Sequence, residues 1–527
     1  MKIFKKNIDK NKKDTILFWV PGGMTLMLQI EAVLARALMN RGVNVHAIIC
    51  DGTYKACIRR QIQDNISTDN WKDVCFNCIK SNSAILDSMQ IPYSYIGKYV
   101  SHSHIYILKN FSKEEDWYSI KNMTFNGITI GKNALSSAVR YLQGLYDPNE
   151  NMNKEYREII IEYAFSALVC TLAASISIKL FSPYCVFMSH GVFVDWGPAL
   201  SVARRNNIKV TAWCACHLPL HFFFAQNEDL LRNSFTNITK NAWNNIKKNT
   251  LTIEQNQRLD EYIKNRYFSN TNFDIKQPIT YIGNKDLFLE KYGLKKNKPI
   301  WAIITHLNWD AGFDSSPQTY SSPEEWTLRT IEKAIHITDV QWVLKIHPAE
   351  KWHDSVGGVL SLIKKYFPSL PNHIKVITAE EKISPLDFIE FVYGGVTIVS
   401  TVGLELAIIG KPVILAGEAH YGMKGFTHDC LTHDNYCKLL KNVKSIPPLN
   451  KKQLHLARRY AYCYFIERQI PFPVIEQSKS GWWKYRKKKD RLLIPGKDPF
   501  IDFICDRIID GKDFIMDEKL VKLSLDK

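Results

Sequence analysis

The chain has 527 residues, enough for two large domains or three smaller ones at about 150 residues per domain. Hydrophobic residues make up 46% and charged residues 23%, with 13 Trp, 24 Tyr and 26 Phe, so apolar burial can outweigh chain entropy and disorder, collagen and coiled coil are excluded. Sixty-nine Lys and Arg against 52 Asp and Glu leave a net charge of +17, which favours an anionic partner: phosphate, nucleic acid or a membrane surface.

The N-terminal stretch MKIFKKNIDKNKKD is basic and polar with no apolar signal core after it, and the twelve cysteines are scattered. Both features point to a reducing cytoplasm and free thiols. Ile16 to Val20 is a short apolar run of buried-strand type that stops at Pro21-Gly22-Gly23. Apolar positions at Leu26, Ile30, Val33, Leu34, Ala37 and Leu38 then repeat at helical spacing up to Arg41-Gly42, and Val43 to Cys50 is the next strand. Strand, glycine turn, helix, strand opens a Rossmann-like unit whose first turn lies at the carboxyl edge of the sheet. The glycines do not form GxGxxG, so a dinucleotide is unsupported. Four thiols at Cys50, Cys57, Cys75 and Cys78 suffice in number for a structural zinc site, but Cys50 ends an apolar strand and reads more simply as core; no metal is expected at the reaction centre. Cys214, Cys216 and His217 are weighed the same way, in favour of a core strand.

The apolar stretch Ala164 to Phe181 is interrupted by Lys179 and preceded by Glu162, and is expected as a buried helix rather than a membrane span. Tyr184 to Met188 predicts a strand running into Ser189-His190-Gly191, followed by a helix around Pro198 to Asn206 and a strand from Ile208 to Ala215. From about 217 to 275 the sequence is polar and Asn-rich without strand alternation, which suits an interdomain region. Regular alternation resumes at Pro299, with strands at Ile300–Thr305, Gln341–Ile346, Ile374–Ile377, Val396–Ser400 and Pro412–Ala416. Helices separate them at Pro323–Ile337, Val356–Tyr366, Pro385–Phe391 and Leu404–Ile409, predicting a second parallel sheet. The expected organisation is residues 1–275, 276–450 and a tail, 451–527, of a long helix over Lys451–Glu467 and a basic, aromatic strip, GWWKYRKKK, at Gly481 to Lys489. The strip suits anionic lipid headgroups or nucleic acid, or a solvated surface with its Trp packed inward.

Two loops carry the chemistry. Lys345-Ile346-His347-Pro348-Ala349-Glu350 and Ser400-Thr401-Val402-Gly403-Leu404-Glu405 end two strands of the same predicted sheet, so both should face one sheet edge. The second leads straight into a helix whose first N–H groups and dipole favour an anion; Lys345 and His347 add donors, and Pro348 fixes the turn. A third loop, Gly417 to Phe426, holds Glu418 and His420 among three glycines and is expected at the same crevice.

These segments, with HLNWDAGFD at His306 to Asp314 and EEW at Glu324 to Trp326, resemble bacterial capsule polysaccharide biosynthesis glycosyltransferases, some of which move the acidic sugar Kdo from a CMP donor, and look related to bacterial sialyltransferases. The resemblance is good over 280–440 and thinner before it, where it rests on PGGM, Cys50-Asp51-Gly52 and the SHG loop. It implies an α/β GT-B fold, two Rossmann-like domains facing across a cleft, with the nucleotide-sugar donor held by the second, the polysaccharide or glycolipid acceptor by the first, and no cofactor. Carried over, it puts His347, Pro348, Ser400 and Thr401 at the donor phosphate, Glu405 at ribose hydroxyls and Gly22-Gly23 on the acceptor side. The base is expected from His190, Asp195 or, third, Asp51, since the acidic pair that precedes a glycine in the sialyltransferases is reduced here to Asp51-Gly52. A peripheral position on the inner face of the membrane goes with that reading. A nucleotide-sugar 2-epimerase and a non-catalytic nucleic-acid-binding protein are the alternatives, although no RNP, KH or zinc-finger pattern occurs and no nucleic acid is expected.

Overall fold

The computed structural model describes residues 15–60, 71–113, 120–142, 154–226, 236, 238–268, 283–307, 309–310, 319–353, 358–477 and 483–525. The basic leader, residues 311–314 of the HLNWDAGFD segment and Gly481-Trp482 of the tail lie outside them.

The C-terminal lobe is built on a six-stranded sheet in the order Ile374–Ile377, Gln341–Lys345, Ile300–Ile304, Gly394–Thr397, Val413–Leu415, His428–Asp429, every neighbouring pair parallel. Its strands are continuous apolar runs because helices cover both faces. Two of those helices start at Ser-Pro: Ser322 and Ser384 cap Pro323–Ile335 and Pro385–Phe391, the serine oxygen accepting a first-turn N–H while proline occupies the first position. Strand and helix positions follow the sequence reading to within a few residues.

The N-terminal lobe has a seven-stranded sheet, ordered Ile470–Pro471, His221–Gln226, Lys209–Ala215, Cys185–Ser189, Ile16–Trp19, Val45–Ile49, Tyr93–Tyr95. Its last five members are parallel and form a Rossmann-like unit, whereas His221–Gln226 and Ile470–Pro471 add an antiparallel edge. The region read as strandless from 217 onward therefore contributes a strand, HFFFAQ, which the Asn-rich composition around it hid. Helix Lys154–Phe181 is by length and composition able to cross a membrane, but its apolar residues, Ala164, Leu168, Cys170 and Ala174 among them, are buried in the lobe's second core with Leu135 and Trp196.

The chain returns to the first lobe late. Helix Lys451–Tyr462 begins with a reciprocal cap, Asn450 and Gln453 exchanging side-chain and backbone bonds at 3.0 Å, and its last turn widens into a π-turn over Cys463–Glu467. A bidentate Arg459–Glu467 pair, both oxygens at 3.0 Å, closes that turn. Tyr460, Phe465 and Ile470 share one hydrophobic core with residues of both sheets, which joins the lobes. Beyond it, Trp483 packs edge-on against Phe222 at 5.1 Å, so this aromatic of the tail strip faces inward while Lys484, Lys487 and Lys488 stay exposed.

Candidate functional site between the lobes

The carboxyl ends of the second sheet open onto a cavity of about 560 Å³. Thr305, His306, Lys345, His347, Pro348, Ser400 and Thr401 line it, together with His217, Arg266, Tyr267, Trp309 and Asp310. Two buried threonines at strand ends set the loops. The Thr305 hydroxyl donates to the Lys345 carbonyl at 3.1 Å and accepts the His347 N–H at 3.2 Å. Likewise Thr397 donates to the Ile304 carbonyl at 3.2 Å and accepts the Ser400 N–H at 3.4 Å.

Within the first loop the Ala349 N–H donates to His347 Nδ1 at 3.1 Å, so the neutral ring carries its proton on Nε2 and acts there as a donor. Ser400 is the N-cap of helix Thr401–Ile408, accepting from the Val402 N–H, and Ser400, Thr401 and Val402 all line the cavity, so the helix's positive end opens onto it. Neutral donors, a helix N-terminus and the Lys345 ammonium make this wall suited to a phosphate.

Gly403 serves the loop's support: a Cβ there would lie 2.1 Å from Tyr421 Oη, which donates to the Ser400 carbonyl at 2.6 Å. The third loop thus braces the second from behind. Glu418 and His420, expected at the crevice, are not among the lining residues; His420 is stacked on Tyr464 at 4.2 Å with Nδ1 3.0 Å from Tyr460 Oη, and burial holds its pKa well below the usual imidazole value. Glu405 is also displaced from its expected place. It is 1% exposed, accepts from Tyr267 Oη and lies 3.5 Å from Arg266 Nη1, so it stands one layer behind two lining residues. Glu324 and Trp326 of the EEW segment are core: the Trp326 indole N–H donates to Tyr436 Oη at 2.9 Å.

In the N-terminal lobe the candidate residues separate. Gly22 and Gly23 have φ of +98° and +82°, and a Cβ on Gly22 would lie 2.0 Å from Asn82 Nδ2; the turn needs glycine for its conformation and its packing. Asp51 accepts from the Thr53 hydroxyl and the Gly97 N–H, a turn-capping role. Asp195 is 1% exposed, Oδ2 accepting the Ile58 N–H at 2.9 Å, and burial raises its pKa to about 7. His190 stands edge-on to Trp196 at 4.7 Å; burial, with Arg140 adding, lowers its pKa to about 3. Its Nδ1 accepts the Val192 N–H at 3.4 Å, which puts the ring proton on Nε2 and leaves a donor rather than a base. Lobe meets lobe beside it: Arg140 lies 5.3 Å from the Trp309 ring, and Lys121 Nζ donates to the Ser321 carbonyl at 3.2 Å. Among the described residues no three His, Cys, Asp or Glu side chains are gathered as a metal would need; Cys78, on helix Trp71–Ser88, takes a bond from Asn82.

The sequence model of capsule polysaccharide biosynthesis proteins matches residues 219–455. Over that span the chain is similar to the capsule polysaccharide biosynthesis family. Every residue lining the cavity except His217 falls inside it. Arg266, Tyr267 and His217 had escaped the sequence reading because they lie in or beside the polar stretch taken as interdomain; a helical segment that places Arg-Tyr at its end, 253–268, was the available signal. No curated protein matches the chain. Among solved structures, the beta Kdo 2,4 transferase KpsC of Thermosulfurimonas dismutans aligns at 16% identity and TM-score 0.34, covering 59% of this chain and 87% of that one. A UDP-GlcNAc 2-epimerase from Neisseria meningitidis bound to UDP-GlcNAc aligns at 11% and 0.27 over 85% and 94%. The glycosyltransferase SnogD from Streptomyces nogalater aligns at 12% and 0.24 over 88% and 97%. At such TM-scores these likenesses carry no argument.

Proposed function

We propose that this chain is a glycosyltransferase that moves a sugar from a nucleotide-activated donor to a capsule or surface polysaccharide or its lipid-linked precursor. The observation that carries the reading is the donor-lined wall: His347 Nε2, the first turn of helix Thr401–Ile408 and Lys345 face one cavity at the carboxyl edge of a parallel sheet. Such a wall stabilises the negative charge that develops on a departing phosphate. Arg266, backed by the Glu405 carboxylate, offers further donors beside it. A CMP-linked acidic sugar is the first donor to test, in keeping with the motif resemblance.

Transfer also needs a base for the acceptor hydroxyl. Asp310 lines the cavity, keeps its side chain 53% exposed and stands against the N-terminal lobe, 3.9 Å from Arg140. It is better placed for that proton than Asp195, His190 or Asp51. The exposed lysines of the tail strip and the net charge of +17 suit an acceptor presented at an anionic bilayer, with the enzyme peripheral on its cytoplasmic face.

The test is incubation with CMP- and UDP-sugars, with and without extracted glycolipid acceptor. Product that requires acceptor supports transfer; conversion of donor alone would make the chain a 2-epimerase; binding of oligonucleotides with no affinity for nucleotide sugars would replace the enzymatic reading altogether.

A further inference from the structure

One cation of the N-terminal lobe reaches the rim of the cavity with part of its hydrogen-bonding capacity unmatched. Arg140 lies near the end of helix Gly131–Tyr141. Its guanidinium carbon is 5.3 Å from the ring centroid of Phe193, in its own lobe, and 5.3 Å from that of Trp309, in the other. With a ring against it from each lobe, the planar group is held in place and its N–H donors are left at its edge.

What that edge meets is incomplete. Asp310 Oδ1 lies 3.9 Å from Nη1, an ion pair too long to be a hydrogen bond. Nε is buried and has no hydrogen-bond partner among the described residues. Buried donors are seldom left so, and an exception at a cavity rim points to a group that arrives from outside. Nearby, the Trp196 indole nitrogen is also buried without a hydrogen-bond partner among the described residues. Trp309 and Asp310 are themselves lining residues, which puts Arg140 beside two side chains that border the space a substrate would fill.

We propose that Arg140 is a substrate-binding residue contributed by the acceptor lobe, taking an anionic group, either a phosphate oxygen or a sugar carboxylate, of a ligand that lies between the lobes. The fork of guanidinium donors matches the two oxygens of either group. This rests on the transferase reading only in supposing that such a ligand enters the cavity.

The test is calorimetric titration of the full chain carrying H347A, so that the phosphate wall of the C-terminal lobe does not contribute, with inorganic pyrophosphate, D-glucuronate and, as a neutral control, D-glucose. Adding R140A should weaken whichever anionic probe binds by at least tenfold and leave glucose unchanged; R140K, which keeps the charge and loses the fork, should fall between. Loss confined to pyrophosphate assigns a phosphate and loss confined to glucuronate a carboxylate. The proposal is overturned if neither anion binds the Arg140-containing protein, or if R140A and R140K bind both as before. Should R140A lose its circular dichroism signal, R140K decides alone, a threefold loss being the threshold. Nucleotide binding to the unmutated chain is measured alongside: its absence sinks the transferase reading, while the Arg140 result stands on the probes.

Discussion

The two lobes reach similar parallel sheets by different routes. Every strand of the C-terminal sheet lies between residues 300 and 429, and each is followed by its own turn or helix. The N-terminal sheet is finished by Ile470–Pro471, whose partner Phe222 lies some 250 positions earlier. The first kind of lobe is encoded locally, in periodicity and caps; the second is completed by a long-range contact whose loop-closure entropy must be met before the contact forms. The proposed function follows the same division. The wall suited to a phosphate belongs to the local lobe, and the side proposed for the acceptor depends on how the late segment holds the lobes together.

The largest effect that would break this division is expected at the wall. H347A should lower nucleotide-sugar turnover by on the order of 10²-fold or more, the scale for losing a donor to a developing anion, with the thermal midpoint unchanged. Next comes the joint between lobes: E467Q removes one partner of the nearly buried Arg459–Glu467 pair and should cost about 3–5 kcal/mol in denaturant unfolding, with both lobes affected. A loss confined to residues beyond 450 would instead show the lobes standing independently. G403A, whose methyl would collide with Tyr421, should destabilise by about 1–3 kcal/mol and weaken nucleotide binding together, sharpening the role of the third loop as a brace.

A pH-dependent effect belongs to the N-terminal lobe. Burial raises Asp195 from 3.8 to about 7, so the native state keeps a proton that the unfolded chain has released. Its contribution to stability is complete below about pH 4 and is lost as pH rises through 7, with a slope approaching ~1.4 kcal/mol per pH unit between them. D195N should flatten that slope in denaturant midpoints between pH 5 and 8; an unchanged slope would place the ionisation elsewhere. The smallest effect is expected for K484E/K487E/K488E in the exposed strip, within about 0.5 kcal/mol in stability.

Legibility tracked locality. The strand at Gln341–Lys345 and the helix at Pro385–Phe391 were readable because a short apolar run or a Ser-Pro cap determines each on its own. Loop placement after two strands of one parallel sheet was readable too, since parallel topology forces both to one edge, and His347, Ser400 and Thr401 share a cavity accordingly. The third loop was misplaced for a physical reason: Glu418 and His420 follow a strand as the others do, but Tyr421 turns the loop inward to hold Ser400, and no local pattern distinguishes a loop that lines from one that supports. The cavity residues Arg266 and Tyr267 were hidden because their partner, Glu405, lies far along the chain, and strand His221–Gln226 because the sequence after it is Asn-rich. Asp195 and His190 looked catalytic by position; that Asp195 is buried and that His190 Nδ1 accepts the Val192 N–H are facts of packing which position does not reveal.

The central claim is that the wall formed by residues 345–348 and 400–402 receives the phosphate of a nucleotide. Thermal unfolding of the full chain with CMP, UDP and other nucleoside mono- and diphosphates tests it most directly, because a ligand that binds only the native state raises the midpoint according to its affinity. At least one nucleotide should raise the midpoint of the unmutated chain and none should raise that of H347A; a panel that leaves the unmutated chain unmoved, or that shifts both proteins alike, would contradict the account.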